Sequence, residues 1–427
     1  MLWVYRLLFL PALIVLAPRY LLRMRRRGGY RQNFEQRFGA VDGLPAKRPH
    51  VRRIWIQAVS VGEVLAIAPL IEALTKGRDV EVYLTTTTST GYRLAMDRYG
   101  AAAIGIGYFP IDWWWFSARA WRRVAPDLVI LTEGERWPEH IHQAVTRGVP
   151  VICINARMSD RTYGRLRKSG FVRRAVLGGM TRVLASSAQD ERRFRELGVR
   201  PERLANTGNL KLDVRIARLS EEECAQLRRE LGLGDGLVLL GSSTWPGEES
   251  ALLESWQELR KSGCECDLLI VPRHAERRPE VERLVRATGA SYHLRSRGAA
   301  KERVQVAVGD TTGELRKLTQ LADLVFIGKS LPPNEGGQTP VEAAALGKPI
   351  VFGPSMSNFR SIARELVECG GAVQVADEFA LGGELKALLN DAGRRAAMAA
   401  AAADWQRANA GAVERTLAVL REELGKR

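Results

Sequence analysis

The chain has 427 residues, 46% of them apolar and 26% charged, and its 64 Lys/Arg against 48 Asp/Glu leave a net charge of +16. That length suits about two to three domains, and the composition excludes a disordered tail, a collagen-like repeat and a disulfide-stapled mini-protein. The five cysteines (Cys153, Cys224, Cys264, Cys266, Cys369) are sparse, show no zinc-finger spacing and read as reduced thiols.

The chain opens on an uninterrupted apolar run, Leu7 to Ala17, with Arg6 and Arg19 at its ends and Pro11 inside. A full bilayer span needs about 20 residues. Extended over Leu2–Leu22, the run could span only with Arg6 and Arg19 snorkelling to the interface. Arg19, Arg23, Arg25, Arg26 and Arg27 follow, where a cleaved leader would carry small residues. Residues 1–27 are therefore read as a retained membrane anchor, monotopic or spanning, with the body of the protein on the cytoplasmic side. A cleaved signal and a buried helix are the alternatives.

The positive charge is concentrated. Residues 1–53 hold twelve Lys/Arg against Glu35 and Asp42, and residues 157–182 hold eight against Asp160. These two regions account for the whole excess, which argues against a uniformly basic nucleic-acid binder.

Beyond the anchor, apolar strands alternate with helices, the pattern of a buried parallel sheet. Strands are predicted at Ile54–Val59, Val80–Thr85, Leu128–Thr132, Val151–Asn155 and Arg182–Ala185, with helices at Val64–Thr75, Thr90–Tyr99 and Pro138–Arg147. A charged stretch near 213–236 interrupts the pattern. It restarts with strands at Leu237–Gly241, Asp267–Val271, Val304–Val308, Leu324–Ile327, Pro349–Phe352 and Ala372–Val375, and ends in an Ala-rich helix over Ala392–Glu423. The predicted division is a first α/β domain (28–212), a joint (213–236), a second α/β domain (237–404) and a C-terminal helix (405–427).

Open α/β sheets bind ligands beyond the carboxyl ends of their strands. Four such loops carry Ser or Thr three residues before Glu: Ser60–Glu63, Thr132–Glu135, Thr311–Glu314 and Thr339–Glu342. Each is a capping-box candidate, and helix starts suit anions, although capping needs no ligand. Walker A, G-x-S-x-G and H-E-x-x-H sequences are missing, and the five histidines form no evident metal set.

These loops resemble the 3-deoxy-D-manno-octulosonic acid (Kdo) transferases of lipopolysaccharide synthesis. The likeness runs through AVSVGEV (58–64), TTTTSTGY (85–92), LTEGERWP (131–138), INARMSDRT (154–162), TGNLKLD (207–213), GSSTWPGEE (241–249), VPRHAER (271–277), VGDTTGEL (308–315), ADLVFIGKSL (322–331) and GGQTPVEAAALGKPIVFGP (336–354). It implies an α/β GT-B glycosyltransferase fold, two Rossmann-like domains facing a cleft, with the last helix crossing back to the first domain. It further implies inverting transfer of Kdo from CMP-Kdo to a lipid A precursor at the inner membrane, with no metal or other cofactor and no nucleic acid.

Carried over by position, the resemblance makes Glu63 the general base, and Glu133 and Lys211 stabilisers of the transition state. Pro272, Arg273, Thr312, Gly313, Glu314, Thr339, Pro340, Val341 and Glu342 become CMP contacts. A carboxylate can take the proton of an attacking hydroxyl, and an ammonium can offset charge on a departing phosphate. Glu63 could equally cap its own helix.

Departures from the family pattern lie at Trp245-Pro246, Gly328-Lys329-Ser330 and Gln338-Thr339. The basic segment including Arg157, Arg161, Arg165 and Lys168 suits a phosphorylated lipid acceptor or anionic lipid. Trp113, Trp114, Trp115, Phe116 and Trp121 suit a membrane interface or a core. Two other classes stand beside this reading: a GT-B enzyme using a UDP donor, and an inactive membrane scaffold.

Overall fold

The computed structural model describes residues 2–27, 33–77, 79–214 and 216–425, with the backbone alone for Leu10, Leu16 and residues 19–27. They form two units, Met1–Asp213 with Gly411–Arg427, and Val214–Ala410.

The first unit holds strands β1 (Arg52–Gln57), β2 (Val80–Thr86), β3 (Gly105–Tyr108), β4 (Leu128–Thr132), β5 (Val151–Ala156), β6 (Arg182–Ala185) and β7 (Leu204–Asn206). They make one parallel sheet in the order β3-β2-β1-β4-β5-β6-β7. The second holds β8 (Leu237–Thr244), β9 (Cys266–Pro272), β10 (Tyr292–Leu294), β11 (Val306–Val308), β12 (Leu324–Ile327), β13 (Ile350–Phe352) and β14 (Ala372–Gln374), parallel in the order β10-β11-β9-β8-β12-β13-β14.

Central strands such as β4 (Leu-Val-Ile-Leu-Thr) are buried along their whole length, because helices on both faces leave no side of a parallel sheet to water. Strand order reverses between β1 and β4 in the first sheet and between β8 and β12 in the second. Those two gaps are the topological switch points where such folds bind ligands.

All eleven expected strands form. The three unanticipated ones, β3, β7 and β10, are edge strands of three or four residues, too short to show a pattern. The expected helix Val64–Thr75 forms as two, Val61–Ala66 and Ala68–Thr75, broken at Ile67. The Ala-rich helix likewise divides, at Gly411 with φ 80°, into Ala392–Asn409 and Ala412–Gly425.

Asp213 accepts from Val413 N at 2.7 Å and from Gly411 N at 3.3 Å, which starts the last helix. Leu417 and Leu420 of that helix are buried in the first unit with Leu210 and Ile56. Residues 213–236, read as a joint, instead carry the helix Glu221–Leu231. It opens with a full Ser220–Glu223 capping box and belongs to the second unit, with Leu227, Leu231 and Leu233 buried.

The N-terminal segment is one helix, Leu2–Arg27, containing Pro11 and Pro18. No helix among the described residues is long and apolar enough to cross a membrane, so the spanning form of the expected anchor is not supported. Arg6, which a spanning helix would require to snorkel, makes a bidentate pair with buried Glu139 at 2.8 and 2.9 Å. Tyr5 donates to buried Asp112 at 2.6 Å, and Phe9 stacks on Trp113 at 6.2 Å between ring centroids. One face of the helix is thus docked on the first unit. Trp3, Leu7, Leu8, Ile14 and Val15 are exposed. The side chains of Arg19, Arg23 and Arg25–Arg27 lie outside the described residues.

His140 is fully buried against Trp55 and Phe109 and accepts from Trp121 Nε1 at 3.1 Å. Burial pushes its imidazole down to about 3. The unfolded chain protonates near the ordinary value of about 6.5, so this stability is present above that pH and lost as pH falls toward 3, by up to about 1.4 kcal/mol per pH unit. Asp112, pushed up to about 6 by burial, works in the opposite sense. The check is therefore a difference: the fall in Tm from pH 7 to pH 5 should be smaller in His140→Asn than in the parent.

Candidate functional site

In the first unit, the loop after β1 and the end of β4 meet at the switch point. Glu63 sits in the first turn of the helix Val61–Ala66. Its Oε2 accepts from Val59 N at 2.9 Å and contacts the Thr132 hydroxyl, and its Oε1 accepts from Ser60 Oγ at 3.2 Å. The Thr132 hydroxyl also lies 2.9 Å from the Gln57 carbonyl. Its single proton can serve either the carbonyl or an ionised Glu63, while a protonated Glu63 can donate back to Thr132. The site accommodates both states of the carboxyl. Burial raises Glu63 above the ordinary carboxylate range and neighbouring Glu133 adds to this, despite the opposing hydrogen bonds from Thr132 and Val59.

Glu133 follows β4 with φ 50°, in the left-handed region that strains a non-glycine residue. Asn155, in β5, shares that conformation at φ 49°. Asn155 ties the neighbourhood together: its Nδ2 donates to Glu133 Oε1 at 3.4 Å and its Oδ1 accepts from Leu210 N at 3.1 Å. Lys211, on the single turn Leu210–Leu212, pairs with Glu133 at 2.5 Å. Glu63, Glu133 and Lys211 therefore share one neighbourhood.

Glu135 joins them. It accepts from Trp137 Nε1 at 2.5 Å, and burial, with the charges of Glu63 and Glu133, pushes it up to about 7. Among the described residues, no group of three or more His, Cys, Asp or Glu is arranged to hold a metal ion.

In the second unit, Arg273 follows β9 and its N–H donates to Thr244 O at 3.0 Å. Its exposed guanidinium has no partner among the described residues. Pro272 ends β9 and is buried. Thr312 and Gly313 are exposed. Glu314 is engaged by Thr311 and by Arg295 at 3.3 Å. Burial works upward on it, but these bonds hold it below its ordinary value. Glu342 pairs with Arg316 at 2.8 Å.

Of the four capping-box candidates, only Ser60–Glu63 places its Ser or Thr at the N-cap of a helix, and there Glu63 bonds to Val59 N rather than to Ser60 N. Thr132–Glu135 is a turn preceding a helix that starts at Pro138. Thr311 meets Glu314 side chain to side chain ahead of the helix Leu315–Leu318. Thr339 Oγ1 accepts from Val341 N at 3.3 Å, and Glu342 turns to Arg316.

A family model described as 3-deoxy-D-manno-octulosonic-acid transferase (kdotransferase) matches residues 32–214. The 3-deoxy-D-manno-octulosonic acid transferase of Bordetella pertussis is 35% identical over 418 residues, covering 94% of this chain and 95% of its own. The chain belongs to the Kdo transferase family. The transferase of that name from Haemophilus influenzae is 32% identical over 421 residues, covering 98% of this chain and 95% of its own. A solved UDP-GlcNAc 2-epimerase from Neisseria meningitidis matches with a TM-score of 0.55 at 14% identity, over 88% of this chain and 100% of that one. That likeness is one of fold alone: two parallel-sheet α/β units of the GT-B kind.

Within this Kdo transferase, Asn155 is the neighbour that sequence reasoning left without a role, and Thr132 and Glu135, read there only as a capping-box candidate, instead face Glu63 and Trp137. The signal for Asn155 and Thr132 was their position at strand ends. In the basic segment, Arg161, Arg165 and Lys168 are exposed on the helix Asp160–Lys168, and Arg157 N reaches Glu133 O at 3.3 Å. The tryptophan run divides: Trp121 is core, whereas Trp114 and Trp115 are exposed.

Lys211→Ala is expected to lower kcat/KM by about 10²–10³-fold, the scale of one preorganised electrostatic contact. The half-exposed pair with Glu133 contributes at most about 1 kcal/mol to stability, so Tm should barely move. If the two side chains act as a unit, Lys211→Ala combined with Glu133→Gln should be little worse than the poorer single variant. Steady-state rates on all four proteins check this.

Proposed function

We propose that the protein is an inverting, metal-independent glycosyltransferase that moves Kdo from CMP-Kdo to a hydroxyl of a phosphorylated lipid A precursor. The observation that carries this reading is the convergence of Glu63, Glu133 and Lys211 at the switch point of the first unit, with Glu63 partly exposed and its basicity raised by burial. Glu63 takes the proton of the acceptor hydroxyl. The oxygen bonds to the anomeric carbon of Kdo, and the bond to phosphate breaks on the opposite face, its electron pair leaving with CMP.

Lys211 offsets the charge on the departing phosphate, and CMP carries a single phosphate, which a cation balances without a metal; in the second unit Arg273 contacts the nucleotide. Pro272, the 312–314 turn and the 339–342 segment contact the nucleotide. Glu314 and Glu342 reach it only by sharing their present partners, Arg295 and Arg316.

The acceptor's phosphates dock on Arg157, Arg161, Arg165 and Lys168. The protein lies on the cytoplasmic face of the inner membrane. Support for this comes from the apolar outer face of the N-terminal helix, exposed Trp114 and Trp115, and the arginines that flank them, which suit an interfacial rather than a spanning arrangement over anionic lipid.

The test supplies purified protein with CMP-Kdo, generated in situ, and a tetra-acylated lipid A precursor. A product heavier by one or more Kdo units, formed equally in EDTA, supports the proposal. No product with any lipid A precursor, or turnover with a UDP-sugar instead, overturns it.

A further inference from the structure

Lys329 lies in the loop after β12 at φ 60°, a left-handed conformation that favours glycine. The loop holds it there from all sides. Glu248 Oε2 accepts from Lys329 N at 2.7 Å, and Lys329 O accepts from Gly337 N at 2.9 Å. A Cβ on preceding Gly328 would meet Ser243 O at 2.3 Å, so the loop is packed tightly on the turn that ends β8.

Held in this way, the Lys329 ammonium lies 4.4 Å from the ring centroid of Trp245. It has no ion pair or hydrogen bond among the described residues. His274 meets the same indole edge-on at 5.5 Å, and its neighbour Arg273 is also unpaired. The two acids in the first turn of the adjoining helix, Glu248–Lys261, are committed elsewhere, Glu248 to backbone N–H groups and Glu249 to Arg277 at 2.6 Å. Trp245 Nε1 and Thr244 Oγ1 are buried without a hydrogen-bond partner among the described residues.

Trp245, Lys329 and Gln338 are positions at which the sequence departs from the family pattern. They are one assembly: Lys329 rests on Trp245, and Gln338 N donates to Gly328 O at 3.0 Å. A half-buried cation with no counter-ion suits an oxyanion that comes from outside the protein.

We propose that Lys329, seated on Trp245 at the β8/β12 switch point, is a donor-binding and specificity residue whose ammonium takes an oxyanion of the sugar nucleotide. That oxyanion is either the phosphate or the carboxylate of the sugar. The cation–π contact fixes the ammonium and leaves its remaining N–H groups to donate. The inference rests on the CMP-Kdo reading above.

The experiment measures the Kd of CMP and of cytidine, and the KM for CMP-Kdo, on the parent, Lys329→Met, Lys329→Gly and Trp245→Leu. Loss of one charge-assisted hydrogen bond weakens binding by about 10- to 100-fold. If the phosphate is the ligand, both lysine variants weaken CMP and raise KM by that factor, with cytidine unchanged. If the sugar carboxylate is the ligand, CMP binding stays constant and only KM rises.

Lys329→Gly separates backbone from charge. It relieves the left-handed strain and should raise Tm while losing the binding. Trp245→Leu should weaken binding by about 3- to 10-fold, with no further loss when combined with Lys329→Met. Binding and KM within twofold of the parent in both lysine variants overturns the inference. A parent that neither binds CMP nor uses CMP-Kdo overturns the functional reading beneath it.

Discussion

Glu63→Gln should lower kcat for Kdo transfer by about 10²–10⁴-fold, the contribution of a positioned general base, while the protein stays folded. Glutamine keeps the size of the side chain and an oxygen for the Val59 N–H, so the start of the helix Val61–Ala66 survives. It cannot accept a proton. The weakening of its hydrogen bonds to Ser60 and Thr132, about 1 kcal/mol, is offset because an ionised carboxylate is no longer buried, and Tm should change by only a few degrees.

The pH profile carries the sharper prediction. A base works when deprotonated, and burial raises Glu63 above its ordinary range. Activity should therefore rise with pH along an acid limb that lies above that of a free glutamate, and the residual activity of Glu63→Gln should lack that limb. Glu135, raised to about 7, is the internal control. If Glu135→Gln loses more activity than Glu63→Gln and removes the limb, the base is Glu135. If Glu63→Gln is as active as the parent, the assignment fails.

What was legible in the sequence follows the range of the interactions. Continuous apolar runs such as Leu128–Thr132 announce strands because a buried parallel sheet asks one thing of every position. The edges β3, β7 and β10 ask little of three or four residues and stayed hidden. A capping box is a local pattern, yet none of the four candidates closes one: Glu63 turns to Val59 N and Thr132, Glu135 to Trp137, and Glu314 and Glu342 find the distant partners Arg295 and Arg316.

Arg6 shows the same limit. Snorkelling is what an arginine beside an apolar run does in isolation, but buried Glu139, 133 positions away, forms a bidentate pair with it. Glu63, Glu133 and Lys211 could be numbered from the family resemblance, whereas Asn155, which bonds to Glu133 and to the Leu210–Leu212 turn, is visible only once β4, β5 and that turn are in place.

Glu248→Gln should be the most destabilising single change in the second unit. Glu248 is buried and accepts four backbone N–H groups, with Oε1 facing Ser330 N at 2.8 Å and Leu331 N at 3.1 Å, and Oε2 facing Lys329 N at 2.7 Å and Trp245 N at 2.9 Å. Burial raises its carboxyl despite those bonds, so the carboxylate is costly to hold and the four donors are what hold it. A glutamine can turn its oxygen to only one pair of donors and must set its NH₂ against the other. Two buried N–H groups then lack an acceptor, at about 1–3 kcal/mol each, or roughly 2–6 kcal/mol against a typical stability of about 5–15 kcal/mol.

Two units need not unfold together. Calorimetry should show one transition, that of the unit containing Glu248, lowered by roughly 5–20 °C, with any separate transition of the first unit in place. The same change releases Lys329 and Trp245 from their shared anchor. CMP affinity should therefore fall at temperatures where the variant is still folded, while the Glu63 pH limb in the first unit persists in its residual activity. An unchanged Tm would mean that the loop after β12 is held by its glycines and packing rather than by the carboxylate, and the preorganisation of Lys329 would then need another cause.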